Sequence, residues 1–150
     1  MEYDGTTTIP ALRDAVWEPI TDPEVLTACV MGAEEIERVS ERRYEGVIRQ
    51  SVAGITVSLA GEVQIETMVT PERLTFSAVG TDSRTNARMD ADVEVVLSEA
   101  GEGETRMDYI VDVRFAGKLA TLGSRILRRQ IKANIETYFD NLAAYAGEDG

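Results

Sequence analysis

The stretch Gly117 to Lys132, GKLATLGSRILRRQIK, decides how this chain folds. Projected at about 100° per residue, the segment it opens sorts into two faces. Leu119, Leu122, Ile126, Leu127, Ile131, Ile135, Tyr138 and Leu142 form one broad apolar stripe, and two amides, Gln130 and Asn134, fall inside it. Arg125, Arg128, Arg129 and Lys132 lie on the other side. A stripe this wide needs a large apolar surface to cover it. With amides among its aliphatics, the helix reads as a lid over a pocket.

The preceding residues supply that surface. From about Ile36 to Phe115 the hydrophobic period is two, the signature of strands with one dry and one wet side. Between Ile55 and Val69 the odd positions are Ile55, Val57, Leu59, Gly61, Val63, Ile65, Thr67 and Val69, with Ser58, Glu62, Gln64 and Glu66 between them. The dry side continues through Leu74, Phe76 and Ala78, then Ala87 to Leu97, then Met107, Tyr109, Val111, Val113 and Phe115. Arg88, Asp90, Asp92, Glu94, Arg106, Asp108, Asp112 and Arg114 belong to the wet side. Turn chemistry at Thr70 to Glu72, Gly80 to Ser83 and Ala100 to Glu104 separates the strands.

Upstream, residues 2 to 9 read as a strand ending at Pro10, followed by a short helix from Ala11 to Ile20. TDPEVLTACV then forms a second small helix, with Thr21 or Asp22 as cap, Pro23 in its first position and Glu24 at the positive end of its dipole. The count is a strand, two helices, about six more strands and a long helix. The fold class is α+β: a curved antiparallel sheet wrapped around a terminal helix, because one dry sheet side and one dry helix stripe must meet. We expect one domain over residues 1 to 146 and a frayed tail from Gly147 to Gly150.

The order of elements and the residues themselves resemble the family of the carbon monoxide dehydrogenase G subunit, within the polyketide cyclase and lipid-transfer (SRPBCC) superfamily. The resemblance rests on DPEVLTACVMGAEEIE at Asp22 to Glu37, YEGVIRQSVAGITVSLAGEVQI at Tyr44 to Ile65, and GKLATLGSRIL at Gly117 to Leu127. Met31 stands where the family commonly has a proline before Gly32. The resemblance implies the helix-grip fold of START and Bet v 1-like proteins, with seven strands and a tunnel beneath the last helix. It further implies an accessory protein that holds a lipid or quinone-like molecule. Such a protein would assist maturation or membrane recruitment of a molybdenum hydroxylase of the carbon monoxide dehydrogenase type. A cyclase- or hydrolase-like enzyme is the alternative, and so is an interaction protein that holds no ligand.

The pocket candidates are Trp17, Leu59, Phe76, Met89, Val93, Tyr109, Val111, Ile126, Gln130, Asn134 and Tyr138. Apolar walls with a few oriented amides and phenols suit a small-molecule site, and the same residues also suit an ordinary core. Catalysis has little to work with: the chain has no histidine, and nothing in the sequence activates its one cysteine, Cys29. The usual ligands of zinc, iron and copper are correspondingly scarce, so neither metal nor cofactor is expected.

Charge narrows the partners. The 27 acids and 15 bases give a net charge of −12, and Lys118 and Lys132 are the only lysines. Free nucleic acid is excluded as a partner on these grounds. Acidic, lysine-poor composition fits a salt-loaded cytoplasm, where a Debye length of about 3 Å at 1 M screens self-repulsion; an ordinary acidic cytosolic protein is the other reading. The expected location is cytoplasmic, with peripheral contact at the inner membrane face open. Against this background the basic cluster Arg125 to Lys132 stands out, either as a docking surface for an acidic partner or anionic membrane, or as cations paired with the chain's own acids.

Overall fold

Pro10 cannot donate to a ladder, and the first strand stops before it: β1 spans Glu2–Ile9. Two short helices follow, α1 at Arg13–Thr21 and α2 at Pro23–Cys29. Asp22 caps α2, its Oδ1 accepting from the Glu24 N–H at 2.9 Å, with Pro23 in the first turn. Six strands come next, β2 (Ala33–Ser40), β3 (Arg43–Val52), β4 (Ile55–Val69), β5 (Arg73–Asp82), β6 (Ala87–Gly101) and β7 (Glu104–Gly117). A short 3-10 turn, Leu119–Leu122, leads into α3, Ser124–Asp149. This computed structural model describes residues 1–149, with side chains described through 145; the expected tail Gly147 to Gly150 lies outside the fully described residues.

The strands form one antiparallel sheet in the order β1-β7-β6-β5-β4-β3-β2. Consecutive strands pair as hairpins, and β1 closes beside β7, with Glu2 opposite Asp112 and Ile9 opposite Thr105. This is the helix-grip arrangement: a curved seven-stranded sheet, two short helices after the first strand, and the long helix across its concave side. The convex side is wet, as its alternation predicts. Arg43 pairs with Glu62, Arg73 with Glu94, Arg88 with Asp90, Arg106 with Asp108, and Arg114 with both Asp92 and Asp112. These pairs are exposed, so each contributes little to stability.

Three sequence expectations need correction. A bulge between Ile65 and Thr67 in β4 breaks the strict alternation, so Met68 turns toward the core and Val69 is 48% exposed. The turn after β5 falls at Ser83 to Asn86 rather than Gly80 to Ser83, because Asp82 extends β5 and its carboxylate accepts from the backbone N–H groups of Ser58 and Arg84, both at 2.9 Å. Most consequentially, the terminal helix does not run unbroken from Gly117. Gly123 adopts φ 84°, a conformation that favours glycine, and separates the 3-10 turn from α3. The helical phase is reset there. Leu119 is buried against Val57, Leu59 and Ala87, whereas Ile126, projected onto the stripe, is 39% exposed.

The buried residues fall into three clusters instead of one continuous core. One joins α1 to the sheet through Ile9, Val16, Trp17, Ile20, Leu74, Leu97 and Met107, and takes in Leu142 of α3. A second gathers Val57, Leu59 and Ala87 around Leu119. A third packs Ile131 of α3 on Ala91 and Val113. A helix anchored at separated points spans whatever lies between them.

Candidate functional site

Between those anchors lies a cavity of about 380 Å³. Backbone approaches of α3 are to α1, α2, β1 and the 3-10 turn, so the helix is propped above the central strands. Asn141 Nδ2 donates to the carbonyl of Cys29 at 3.0 Å and ties α3 to α2. The sheet contributes the floor, including Leu59, Val63, Phe76, Met89, Val93, Val95 and Val111; Ile20, Leu26 and Val30 close one end; Asn134, Ile135, Tyr138 and Phe139 form the roof. Such a surface suits a small apolar guest.

A row of glycines makes room for it. Gly46, Gly61 and Gly80 are register partners on β3, β4 and β5, and all three line the cavity. A Cβ at Gly61 would come within 2.8 Å of the Val79 carbonyl oxygen, and one at Gly46 within 2.9 Å of Ile36. Adjacent strands thus bend and approach one another where any side chain would obstruct them, and the space above stays open. The sequence shows these glycines, but their alignment is visible only once register is known.

Eight of the eleven expected residues line the cavity: Leu59, Phe76, Met89, Val93, Tyr109, Val111, Asn134 and Tyr138. Trp17, Ile126 and Gln130 do not. Trp17 is 7% exposed and belongs to the packed cluster under α1, Ile126 faces outward after the phase reset at Gly123, and Gln130 sits beside the cavity in an amide cluster. Gln130 Nε2 donates to Gln50 Oε1 at 3.2 Å and Asn134 Oδ1 at 3.1 Å, and Asn134 Nδ2 donates to Gln50 Oε1 at 3.2 Å. Gln50 Nε2 in turn donates to the Met31 carbonyl at 2.8 Å. The two amides of α3 therefore satisfy each other and Gln50 of β3, forming a polar bridge across one side of the cleft. Gln50 was not among the expected residues because it stands between Arg49 and Ser51 in a polar run; the signal that could have found it is its parity, shared with Tyr44, Ile48 and Val52 on the dry side of β3.

The phenols differ in availability. Tyr44 is committed: its hydroxyl donates to the Thr21 carbonyl at 2.5 Å and accepts from Arg38 Nη2 at 2.9 Å. Tyr138 makes no side-chain hydrogen bond among the described residues. Among the described residues the side-chain polar atom that is both sealed and unpaired is Thr85 Oγ1, so the Tyr138 hydroxyl is not sealed, and Tyr138 is one of the residues that line the cavity. Burial, and secondarily Cys29 nearby, pushes its pKa well up. Tyr109 is raised by burial, then by Glu136 and Asp4, and its ring meets Phe139 with centroids 4.8 Å apart. Both phenols stay protonated at neutral pH and can donate one hydrogen bond each. Burial likewise raises the Cys29 thiol, which keeps it in the less nucleophilic form.

Among the described residues no three metal-binding side chains of the His, Cys, Asp and Glu types converge, and no helix is long and apolar enough to cross a membrane. The fold and the concave apolar site together define a helix-grip protein. Within that class, the chain belongs to the CoxG family, described as the carbon monoxide dehydrogenase G subunit, whose sequence profile matches residues 5–147.

Solved structures agree on the fold. A conserved protein from Geobacillus kaustophilus superposes with a TM-score of 0.91 at 19% identity, covering 99% of this chain and 96% of that one. The Zhui aromatase/cyclase of a Streptomyces species gives 0.72 at 15% identity, with 98% and 93% covered. Ara h 8.0201 gives 0.67 at 14% identity, with 99% and 97% covered. Among curated proteins none matches the chain significantly.

Proposed function

We propose that this protein binds a small hydrophobic molecule, of the lipid or quinone kind, in the cavity beneath α3, and that it serves a molybdenum hydroxylase of the carbon monoxide dehydrogenase type as an accessory protein. The observation that carries the first part is a cavity of about 380 Å³ with an almost wholly apolar wall, left open by the Gly46–Gly61–Gly80 row. The Tyr138 hydroxyl, with no partner of its own among the described residues, would orient a guest through a single carbonyl or hydroxyl group. Membership of the CoxG family supports the second part. The net charge of −12 with two lysines supports a salt-loaded working environment.

Titration with a short-chain alkylated benzoquinone tests the binding role. Saturable binding at one molecule per chain, weakened by Tyr138→Phe and by filling the cavity, is expected. Absence of saturable binding by both this quinone and a long-chain fatty acid would reject it. Co-purification of a molybdenum hydroxylase encoded beside this chain would support the accessory role, and its absence after cross-linking in cells would count against it.

A further inference from the structure

Arg125, Arg128, Arg129 and Lys132 are exposed, and none takes part in an ion pair among the described residues. That contrasts with the sheet, where Arg43, Arg73, Arg88, Arg106 and Arg114 each meet a carboxylate. Local supply explains part of it: no acid occurs from Val113 to Ile135, in a chain with 27 of them. The placement also opposes the helix itself. α3 has no acid in its first turn, and its cations crowd the end where the backbone dipole is positive and repels them. A helix selected for stability alone would carry the reverse order.

The four cations occupy positions i, i+3, i+4 and i+7, so they line one face over about 10 Å. Ile126, 39% exposed, stands on the same first turns beside them. Cations in a row flanked by a free aliphatic side chain complement a flat anionic surface with an oily layer beneath it.

We propose that this face of α3 docks the protein on an anionic lipid bilayer, with Arg125, Arg128, Arg129 and Lys132 on the headgroups and Ile126 in the interface. The choice of a bilayer over an acidic protein rests on the reading that the cavity carries an apolar molecule, since a bilayer is where such a molecule is taken up or released. The roof residues Asn134 and Tyr138 follow on the same helix, so docking would hold the cavity close to the lipid.

Co-sedimentation with vesicles tests this. Phosphatidylcholine vesicles containing phosphatidylserine should bind the protein, and vesicles of phosphatidylcholine alone should not. At about 1 kcal/mol per basic residue, each cation changes the partition coefficient about fivefold, so joint replacement of Arg125, Arg128 and Arg129 by Gln should lower it more than about a hundredfold. Joint replacement of Arg88, Arg106 and Arg114 by Gln alters net charge equally and should change it less than about fivefold. Thermal melts establish that both variants are folded, and the α3 variant should melt no lower than the parent. Indifference to phosphatidylserine, or equal losses in the two variants, would overturn the proposal; the first result is also what an acidic protein partner would give. Nile red fluorescence, measured without vesicles, separates the two readings: if it shows no uptake while vesicle docking persists, the carrier reading fails and the docking surface stands.

Discussion

Replacing Ala78 by leucine should stabilise this protein, which is unusual for an enlarged side chain in the middle of a sheet. Ala78 lies on β5 between Val63 of β4 and Ala91 of β6, and it lines the cavity floor. The substitution adds three carbon atoms to a space of about 380 Å³. At about 0.8 kcal/mol per buried carbon the gain is at most about 2.4 kcal/mol. Fixing the new rotamers costs about 0.5–1 kcal/mol, which leaves roughly 1.5 kcal/mol. For a chain of this length the melting temperature should rise by about 3–6 °C.

Calorimetry on protein stripped of any guest reads this directly. The same side chain should oppose a bound molecule that fills the cavity, with an overpacking cost of about 1–3 kcal/mol, or a five- to hundredfold loss of affinity. If the interior were packed solid, the sign would reverse and Ala78→Leu would destabilise by a similar amount. A fall in melting temperature for the stripped, folded variant would therefore refute the cavity argument, whatever the binding data show.

Four further outcomes follow from particular contacts. Gln50→Leu removes the acceptor shared by Gln130 and Asn134 and should destabilise by about 1–3 kcal/mol in urea unfolding, whereas an unchanged midpoint would make the amide bridge incidental. Gly117→Ala should cost at least about 2 kcal/mol, because Gly117 has φ 67° and a Cβ there would overlap the Asn86 carbonyl oxygen; a melt like that of the parent would contradict the geometry. Backbone donors, that of Ser58 first, hold the Asp82 carboxyl below its ordinary range, so its contribution is present above the unfolded value near 4 and is lost as pH falls through the lower folded value. Asp82→Asn should accordingly flatten the acid limb of melting temperature against pH, and identical acid limbs would reject that role. Finally, the melting temperature should rise between dilute and molar potassium chloride, and a constant value would remove the salt-loaded reading.

How much of this was legible in the sequence depends on whether the deciding physics was local. The Asp22 cap, the stop at Pro10 and the alternation of β6 and β7 are written in neighbouring residues, and they determine the sheet, the short helices and the element order. Ile126 and Val69 depart from expectation for one reason: each lies beyond a break in the periodicity that places it. A single glycine at 123 resets the helical phase, and one bulge at Ile65–Thr67 inverts a strand end. The glycine is visible in the sequence as a breaker, whereas the bulge leaves no such signal. The cavity walls are mostly visible because inward strand positions are apolar by the same rule that forms the sheet. The roles of Gln50, Ile135 and Phe139 arise from elements distant in sequence, and the glycine row acquires meaning only when β3, β4 and β5 are aligned. Charge behaves in the same way. The basic residues of α3 are conspicuous at once, but whether the chain's own acids answer them depends on where those acids lie.

The central claim is that the space beneath α3 exists to hold an apolar molecule. Native mass spectrometry of gently purified protein, followed by organic extraction, tests it most directly. The account predicts a population heavier than the 150-residue chain by one small hydrophobic molecule, recovered in the extract and diminished in Ala78→Leu. A spectrum of the bare chain alone, from protein that also takes up no added quinone or fatty acid, would contradict it.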